Sequence, residues 1–112
     1  MTVKEIAEKC AFKILNSAES ADAKEVRSVY CCDLLSIAMS RMSEEAAWVT
    51  VMSNMNTLAV ASLTDVSCVI LAEGVAVEDN MLAKAKEQEI ALFSTDLPVF
   101  EAAMMIGKAL GM

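Results

Sequence analysis

Three short polar clusters have the residue types to bind a small anion, and each follows a stretch predicted to be a β-strand. Their members are Asp33 with Ser36, Ser53 with Asn54, and Ser94 with Thr95 and Asp96. Such side chains at the start of a helix lie beside free backbone amides, which attract anions. Because the carboxyl ends of parallel strands share one edge of a sheet, we expect the three clusters to meet at a ligand-binding edge.

The same seven residues have a second interpretation as helix caps. Ser, Asn and Asp are the residues that most often accept hydrogen bonds from the first amides of a helix. A capping role does not prevent a side chain from also touching a ligand. The sequence leaves both interpretations open.

Several common catalytic centres are absent from the sequence. It contains no histidine, which removes imidazole bases, Ser–His and Cys–His pairs and histidine-containing metal sites. Its three glycines form neither a GxxxxGK[ST] nor a GxGxxG phosphate loop. No catalytic residue, metal site or cofactor is therefore predicted. A small enzyme that uses Asp33, Asp96 and nearby hydroxyls is one alternative.

The four cysteines, Cys10, Cys31, Cys32 and Cys68, lie in apolar stretches without a CxxC spacing. Adjacent Cys31 and Cys32 would point to opposite faces of a strand, so they are poorly placed to share one ligand. We predict that the four residues are buried as small apolar side chains. A redox or iron–sulfur role is the other alternative, and it requires all four thiols to converge.

Length and composition indicate one domain over residues 1–112 that associates with a second copy of itself. The chain is 56% hydrophobic but 4% aromatic, so its core must be aliphatic. A domain of this size buries about two-thirds of its unfolded surface, which leaves apolar side chains for a second subunit. We therefore expect a homodimer.

The net charge of −7 argues against nucleic acids and anionic membranes as partners. Nucleic acids and anionic membranes attract clusters of Lys and Arg, and this chain has none. No apolar run approaches the ~18–20 residues that span a bilayer, and the start lacks a hydrophobic signal region. The expected location is the cytoplasm.

Helical and strand patterns alternate along the chain, which predicts a three-layer α/β/α sandwich with a mostly parallel sheet. The predicted strands cover 12–15, 26–32, 47–52, 66–72 and 90–93, with a loop over 16–24. Thr2 and Glu5 form a capping box for the first helix. Asp33 and Asn54 are expected to cap two later helices, and Pro98 begins the last one.

Helical spacing also marks the apolar residues of three helices. The helix after Asp33 carries Leu34, Leu35, Ala38, Met39 and Met42 at this spacing. The helix after Asn54 carries Met55, Leu58, Ala59, Ser62 and Leu63, and methionines such as Met39 and Met55 could either fill the core or form a contact surface. The last helix would bury Val99, Ala102, Ala103, Ile106 and Leu110. Trp48, which opens a central strand, is expected in the core or an interface.

Five segments together resemble a DRTGG domain over nearly the whole chain. They read TVKEIAE at 2–8, CDLLS at 32–36, AVASL at 59–63, LAKAKE at 82–87 and FSTDL at 93–97. The resemblance implies the fold of the N-terminal domain of HPr kinase/phosphorylase. Domains of this family accompany CBS domains or precede phosphotransacetylase domains, which implies a regulatory or assembly role. Stand-alone members near hydrogenase genes imply the redox alternative.

The chain departs from the family at the motif that names it, because segment 23–29 reads AKEVRSV. Lys24 keeps a positive charge, but Ser28 and Val29 stand where the family has glycines. Glycine permits close approach to a phosphate, so an anion-binding role for this segment is not expected. We conclude that the sequence predicts a non-catalytic regulatory or ligand-sensing module. Its expected partners are a second copy, a small anionic metabolite or another protein.

Overall fold

The computed structural model describes residues 1–112 as six helices and five strands. The strands are β1 (Lys13–Asn16), β2 (Ser28–Cys31), β3 (Ala46–Thr50), β4 (Cys68–Leu71) and β5 (Leu92–Ser94). The helices are α1 (Val3–Cys10), α2 (Glu19–Asp22), α3 (Leu35–Arg41), α4 (Met55–Thr64), α5 (Asp79–Glu87) and α6 (Val99–Ala109).

The five strands form one sheet in the order β1-β5-β4-β3-β2. Strands β2 to β5 run parallel, and β1 pairs antiparallel with β5. Each parallel strand steps through a helix to its neighbour in the same direction across the sheet. Right-handed crossovers therefore place α3, α4 and α5 on one face, and α1, α2 and α6 pack on the other. The predicted three-layer sandwich with a mostly parallel sheet is confirmed.

Strands β3 and β4 are buried at every position, because helices cover both of their faces. Alternate residues enter opposite cores. Val49 and Ile70 pack under α1, α2 and α6, whereas Trp48 and Leu71 pack under α3, α4 and α5. Trp48 is fully buried, and its indole nitrogen donates a hydrogen bond of 3.0 Å to the carbonyl of Cys32. Of the two positions predicted for Trp48, the core or an interface, the structure shows the core.

The start of α1 follows from its sequence. Thr2 accepts a hydrogen bond from the amide of Glu5, and the Glu5 carboxylate accepts one from the amide of Thr2. These reciprocal bonds satisfy two amides that the helix leaves free. The predicted capping box is therefore confirmed.

Helix α4 buries only part of the residue set that its helical spacing marked. Leu58 of that set is buried, whereas Met55 and Leu63 are 40% and 74% exposed, and the helix also buries Thr57, Val60 and Ala61. Apolar residues surround most of this helix, so their spacing did not mark the face that meets the sheet.

Helix α3 follows the edge strand β2, and its apolar residues divide between the core and the surface. Ala38 and, just after the helix, Met42 are buried, whereas Leu34 and Met39 are exposed. The predicted loop over 16–24 also contains the short helix α2.

None of the six helices is long and apolar enough to cross a membrane.

Candidate ligand site at the carboxyl edge of the sheet

The three predicted polar clusters do follow β2, β3 and β5, so all of them lie at the carboxyl edge of the parallel strands. The strand order divides them into two groups. The loops after β2 and β3 are neighbours, whereas β4 separates them from the loop after β5. No cavity is lined by residues from more than one of the three clusters.

Asp33 joins the loops after β2 and β3. One oxygen of its carboxylate accepts hydrogen bonds from the Thr50 hydroxyl at 2.7 Å and from the Val51 amide at 2.9 Å. Helix α3 starts without a side-chain cap. The predicted capping role of Asp33 is wrong, because its carboxylate is directed to the neighbouring strand.

Asn54 is a helix cap, as predicted. Its side-chain oxygen accepts hydrogen bonds from the amides of Asn56 at 2.9 Å and Thr57 at 3.3 Å. Nearby Ser36 is exposed and Ser53 is half-buried. No cavity is lined by Ser36, Ser53, Asp33 or Asn54.

The loop after β5 is held to the loop after β4. The Gly74 amide donates to the carbonyl of Thr95 at 3.0 Å, and the Glu73 amide donates to the carbonyl of Leu97 at 2.9 Å. The Glu73 carboxylate then accepts a hydrogen bond of 3.0 Å from the Val99 amide in the first turn of α6. Glu73 therefore accepts the hydrogen bond at the start of α6 that the capping interpretation had assigned to Ser94, Thr95 and Asp96.

Gly74 allows the two loops to approach closely. Its φ of +65° lies in the left-handed region, and a side-chain carbon at this position would lie 2.9 Å from the Asp96 carboxylate. Glycine avoids both the conformational penalty and the clash.

A cavity of about 380 Å³ opens beside this loop. Its lining residues are Ala11, Lys13, Ser94, Thr95, Asp96, Leu97 and Pro98. We call it the carboxyl-edge cavity. It collects the third predicted cluster and adds Lys13, which the sequence did not single out. The antiparallel pairing of β1 brings Lys13 opposite Ser94, and this pairing has no signal in the local sequence.

The polar groups of the carboxyl-edge cavity include one cation and two hydroxyls. The Lys13 ammonium forms no salt bridge. The Thr95 hydroxyl accepts a hydrogen bond of 3.2 Å from the Leu97 amide, which leaves its own proton available. Ser94 is half-buried, and Asp96 is exposed with a carboxylate that can accept from a ligand. The set can bind an anionic group and a hydrogen-bond donor.

The cysteines are divided between separate places. Cys10 and Cys68 are buried in the core under α1 and α6, as predicted. Cys31, at the end of the edge strand β2, is exposed, and Cys32 is half-buried, so the predicted burial is wrong for Cys31 and only partly met for Cys32. No group of three or more Cys, His, Asp or Glu residues is arranged to hold a metal ion.

Segment 23–29 lies at the opposite, amino edge of the sheet. Lys24 forms a salt bridge of 3.8 Å with Asp65, and Arg27 forms one with Glu45. The Val26 amide donates to the carbonyl of Met1 at 2.7 Å. In this chain the segment connects the start of α1 to the strands.

Comparison with known proteins agrees with this architecture. A crystal structure of similar fold contains the CBS and DRTGG domains of the regulatory region of Clostridium perfringens pyrophosphatase, complexed with its activator diadenosine tetraphosphate. The TM-score is 0.76 at 17% sequence identity, and the match covers 94% of the present chain but 45% of that one. No curated protein matches the present chain in sequence. The family model for the DRTGG domain matches residues 5–109, and the chain therefore belongs to the DRTGG domain family.

Proposed function

We propose that the chain is a non-catalytic regulatory module that binds a small anionic ligand in the carboxyl-edge cavity. The observation that carries the proposal is the position of Lys13. Lys13 lines the cavity together with Ser94 and Thr95, and its ammonium forms no salt bridge with a carboxylate. A carboxylate or phosphate placed there gains a charge-assisted hydrogen bond and two neutral ones.

Asp96, the remaining polar group of the cavity, favours a hydrogen-bond donor at the other end of the ligand. Asp96 would repel a second negative charge but accepts hydrogen bonds from hydroxyl or amino groups. The best match is therefore a small metabolite with one anionic group and at least one donor. The absence of an imidazole base and of a paired-acid arrangement in this cavity favours binding without turnover.

The regulatory role is supported by the domain that shares this fold. The matched pyrophosphatase region is regulatory, and its activator is an anionic molecule. The present chain spans less than half of that region, so the place of its activator is not transferred to this cavity. What is transferred to the proposal is only that a regulatory region with this fold binds a small activator. For the present chain we propose that ligand binding changes association with a partner.

Replacing Lys13 with alanine should weaken binding of the anionic ligand about 10- to 100-fold. The reason is the loss of one charge-assisted hydrogen bond, worth about 1.5–3 kcal/mol. A thermal-shift screen of nucleotides, phosphometabolites and acyl compounds first identifies the ligand. At a hundred times its dissociation constant the ligand stabilises the protein by roughly 2.7 kcal/mol. Calorimetry with the best compound then compares the wild type and Lys13→Ala.

Lys86→Ala is the matched control, since Lys86 is exposed, forms no salt bridge and lines no cavity. This control should bind as the wild type does. Equal affinities for the wild type and Lys13→Ala would remove the carboxyl-edge cavity as the site.

We also propose that the module is a homodimer that associates through α6. Phe100 and Met104, one helical turn apart, are 71% and 42% exposed, and Met112 beyond the helix is 74% exposed. Pro98, two residues before Phe100, lines the carboxyl-edge cavity. A ligand in the cavity therefore lies beside the proposed interface.

Sedimentation at high micromolar concentration should show a dimer, and Phe100→Ser should shift it toward the monomer. The control Leu63→Ser removes an equally exposed apolar side chain from α4, on the other face of the sheet, and should leave the dimer intact. A wild-type protein that remains a strict monomer would contradict the dimer.

A further inference from the structure

A second cavity of about 270 Å³ lies between α1, α2 and the outer strand β1. Its lining residues are Lys4, Ala7, Glu8, Ala11, Phe12, Ile14, Ser17, Asp22 and Phe93. We call it the α1–β1 cavity. Ligand pockets for drug-sized molecules are about 300–1,000 Å³, so this one fits a smaller molecule of one or two rings.

Asp22 lines this cavity and has one carboxylate oxygen without a partner. Asp22 Oδ1 accepts no hydrogen bond and is the one buried side-chain nitrogen or oxygen in this condition. Lys4 lines the same cavity but forms no salt bridge with Asp22. A desolvated carboxylate oxygen without a donor is unfavourable. Because Oδ1 has almost no accessible surface, the half-buried Asp22 side chain must rotate slightly toward the cavity before a ligand can supply this donor.

The other walls of the cavity are mostly apolar. Phe12 and Phe93 present their rings, and Ala7 and Ala11 leave the space that larger side chains would fill. Ile14, a large apolar residue on an edge strand, is 60% exposed and completes the rim. These surfaces suit a flat apolar body.

The charges at the cavity select the sign of the ligand. Asp22 and Glu8 contribute two carboxylates and Lys4 one ammonium, so the lining carries a net negative charge. We infer that the α1–β1 cavity binds a small organic cation, with an apolar ring against Phe12 and Phe93 and an amidinium or ammonium group that donates to Asp22. This site differs from the anionic ligand site proposed above, although Ala11 lines both cavities.

The probe pair is benzamidine and benzoate, which have the same ring and similar size but opposite charges. Each is titrated into the full chain while amide and methyl resonances are followed by NMR. Benzamidine should shift the resonances of Ala7, Ala11 and Ile14 in a saturable way, with a dissociation constant in the millimolar range or below. Benzoate should not. Failure of benzamidine to bind, or equal binding of benzoate, would overturn the inference.

Asp22→Ala should weaken benzamidine binding at least 10-fold while the melting temperature stays equal or rises, because the unpartnered oxygen is removed. The matched control Glu19→Gln changes a carboxylate of the same helix that does not line the cavity, and it should bind normally. A lower melting temperature for Asp22→Ala together with unchanged benzamidine binding would show a purely structural carboxylate. If Asp22→Ala does not fold, Asp22→Asn keeps the shape and should still bind benzamidine more weakly.

Lys13→Ala distinguishes this inference from the proposed function. It should leave benzamidine binding unchanged, since Lys13 does not line the α1–β1 cavity. Anion binding without benzamidine binding would reject only the cation site. Benzamidine binding without any anionic ligand would reject only the carboxyl-edge site.

Discussion

Replacing Trp48 with alanine should lower the free energy of unfolding by about 3–5 kcal/mol. Trp48 is fully buried between β3 and the layer of α3, α4 and α5, so its removal leaves a large void. It also leaves the carbonyl of Cys32 without the indole donor that lies 3.0 Å away. A loss this large is a substantial part of the 5–15 kcal/mol that stabilises a typical domain.

Urea denaturation followed by circular dichroism measures this effect. The control is Leu63→Ala, because Leu63 is also a large apolar residue but is 74% exposed. It should change the free energy of unfolding by no more than about 0.5 kcal/mol. Similar losses for both variants would contradict the position of Trp48 in the core.

Raising the pH from 8 to 11 should destabilise the protein through Cys68. Burial raises the pKa of this thiol from 9.0 to about 12. Above pH 9 the unfolded chain releases the thiol proton, whereas the folded protein retains it until about pH 12. The free energy of unfolding therefore falls by roughly 1.4 kcal/mol per pH unit in this window, and the contribution is intact below pH 9.

Urea denaturation at pH 8 and pH 11 tests the effect in the wild type and in Cys68→Ala. The variant should lose about 2–3 kcal/mol less than the wild type over this range. Cys31→Ala, which removes an exposed thiol, is the comparison variant and should behave more like the wild type. Equal alkaline losses in the wild type and Cys68→Ala would exclude Cys68 as the cause.

The elements of the sheet were predictable because their signals are local. The apolar runs that contain β3 and β4 can be satisfied only between two helical layers. The Thr2–Glu5 pair marks the start of α1 within four residues. Gly111, with φ of +81°, follows the C-cap of α6, where a glycine commonly ends a helix. Each of these conclusions depends on residues that are close together in the chain.

The contacts of the candidate site were less predictable because they join distant segments. Asp33 follows a strand and precedes a helix, which is the usual position of a cap, but Thr50 and Val51 in the next loop receive its carboxylate. Glu73 has the appearance of a turn residue and binds the start of α6, 26 residues later. Whether such a carboxylate caps its own helix or binds a neighbouring loop depends on which strands lie side by side. The strand order cannot be read from the local sequence.

Lys13 shows the same limitation for the ligand site. Its neighbours in the chain indicate only a short strand, and its place beside Ser94 depends on the antiparallel pairing of β1 with β5. Asp22 lies in a segment that was predicted to be a loop, so nothing in the sequence indicated that one of its carboxylate oxygens would be buried without a hydrogen-bond partner. Both residues became candidates once the cavities that they line were known.

The two helical layers differ in how the chain builds them. The layer of α3, α4 and α5 comes from one uninterrupted stretch, and each of its helices links two strands that lie side by side. The opposite layer combines α1 and α2 with α6, and β1 must find β5 about 80 residues later in the chain. Closing so long a loop is entropically slower than local pairing. During synthesis on the ribosome, the first layer can therefore assemble while the opposite face of the sheet still awaits its last helix.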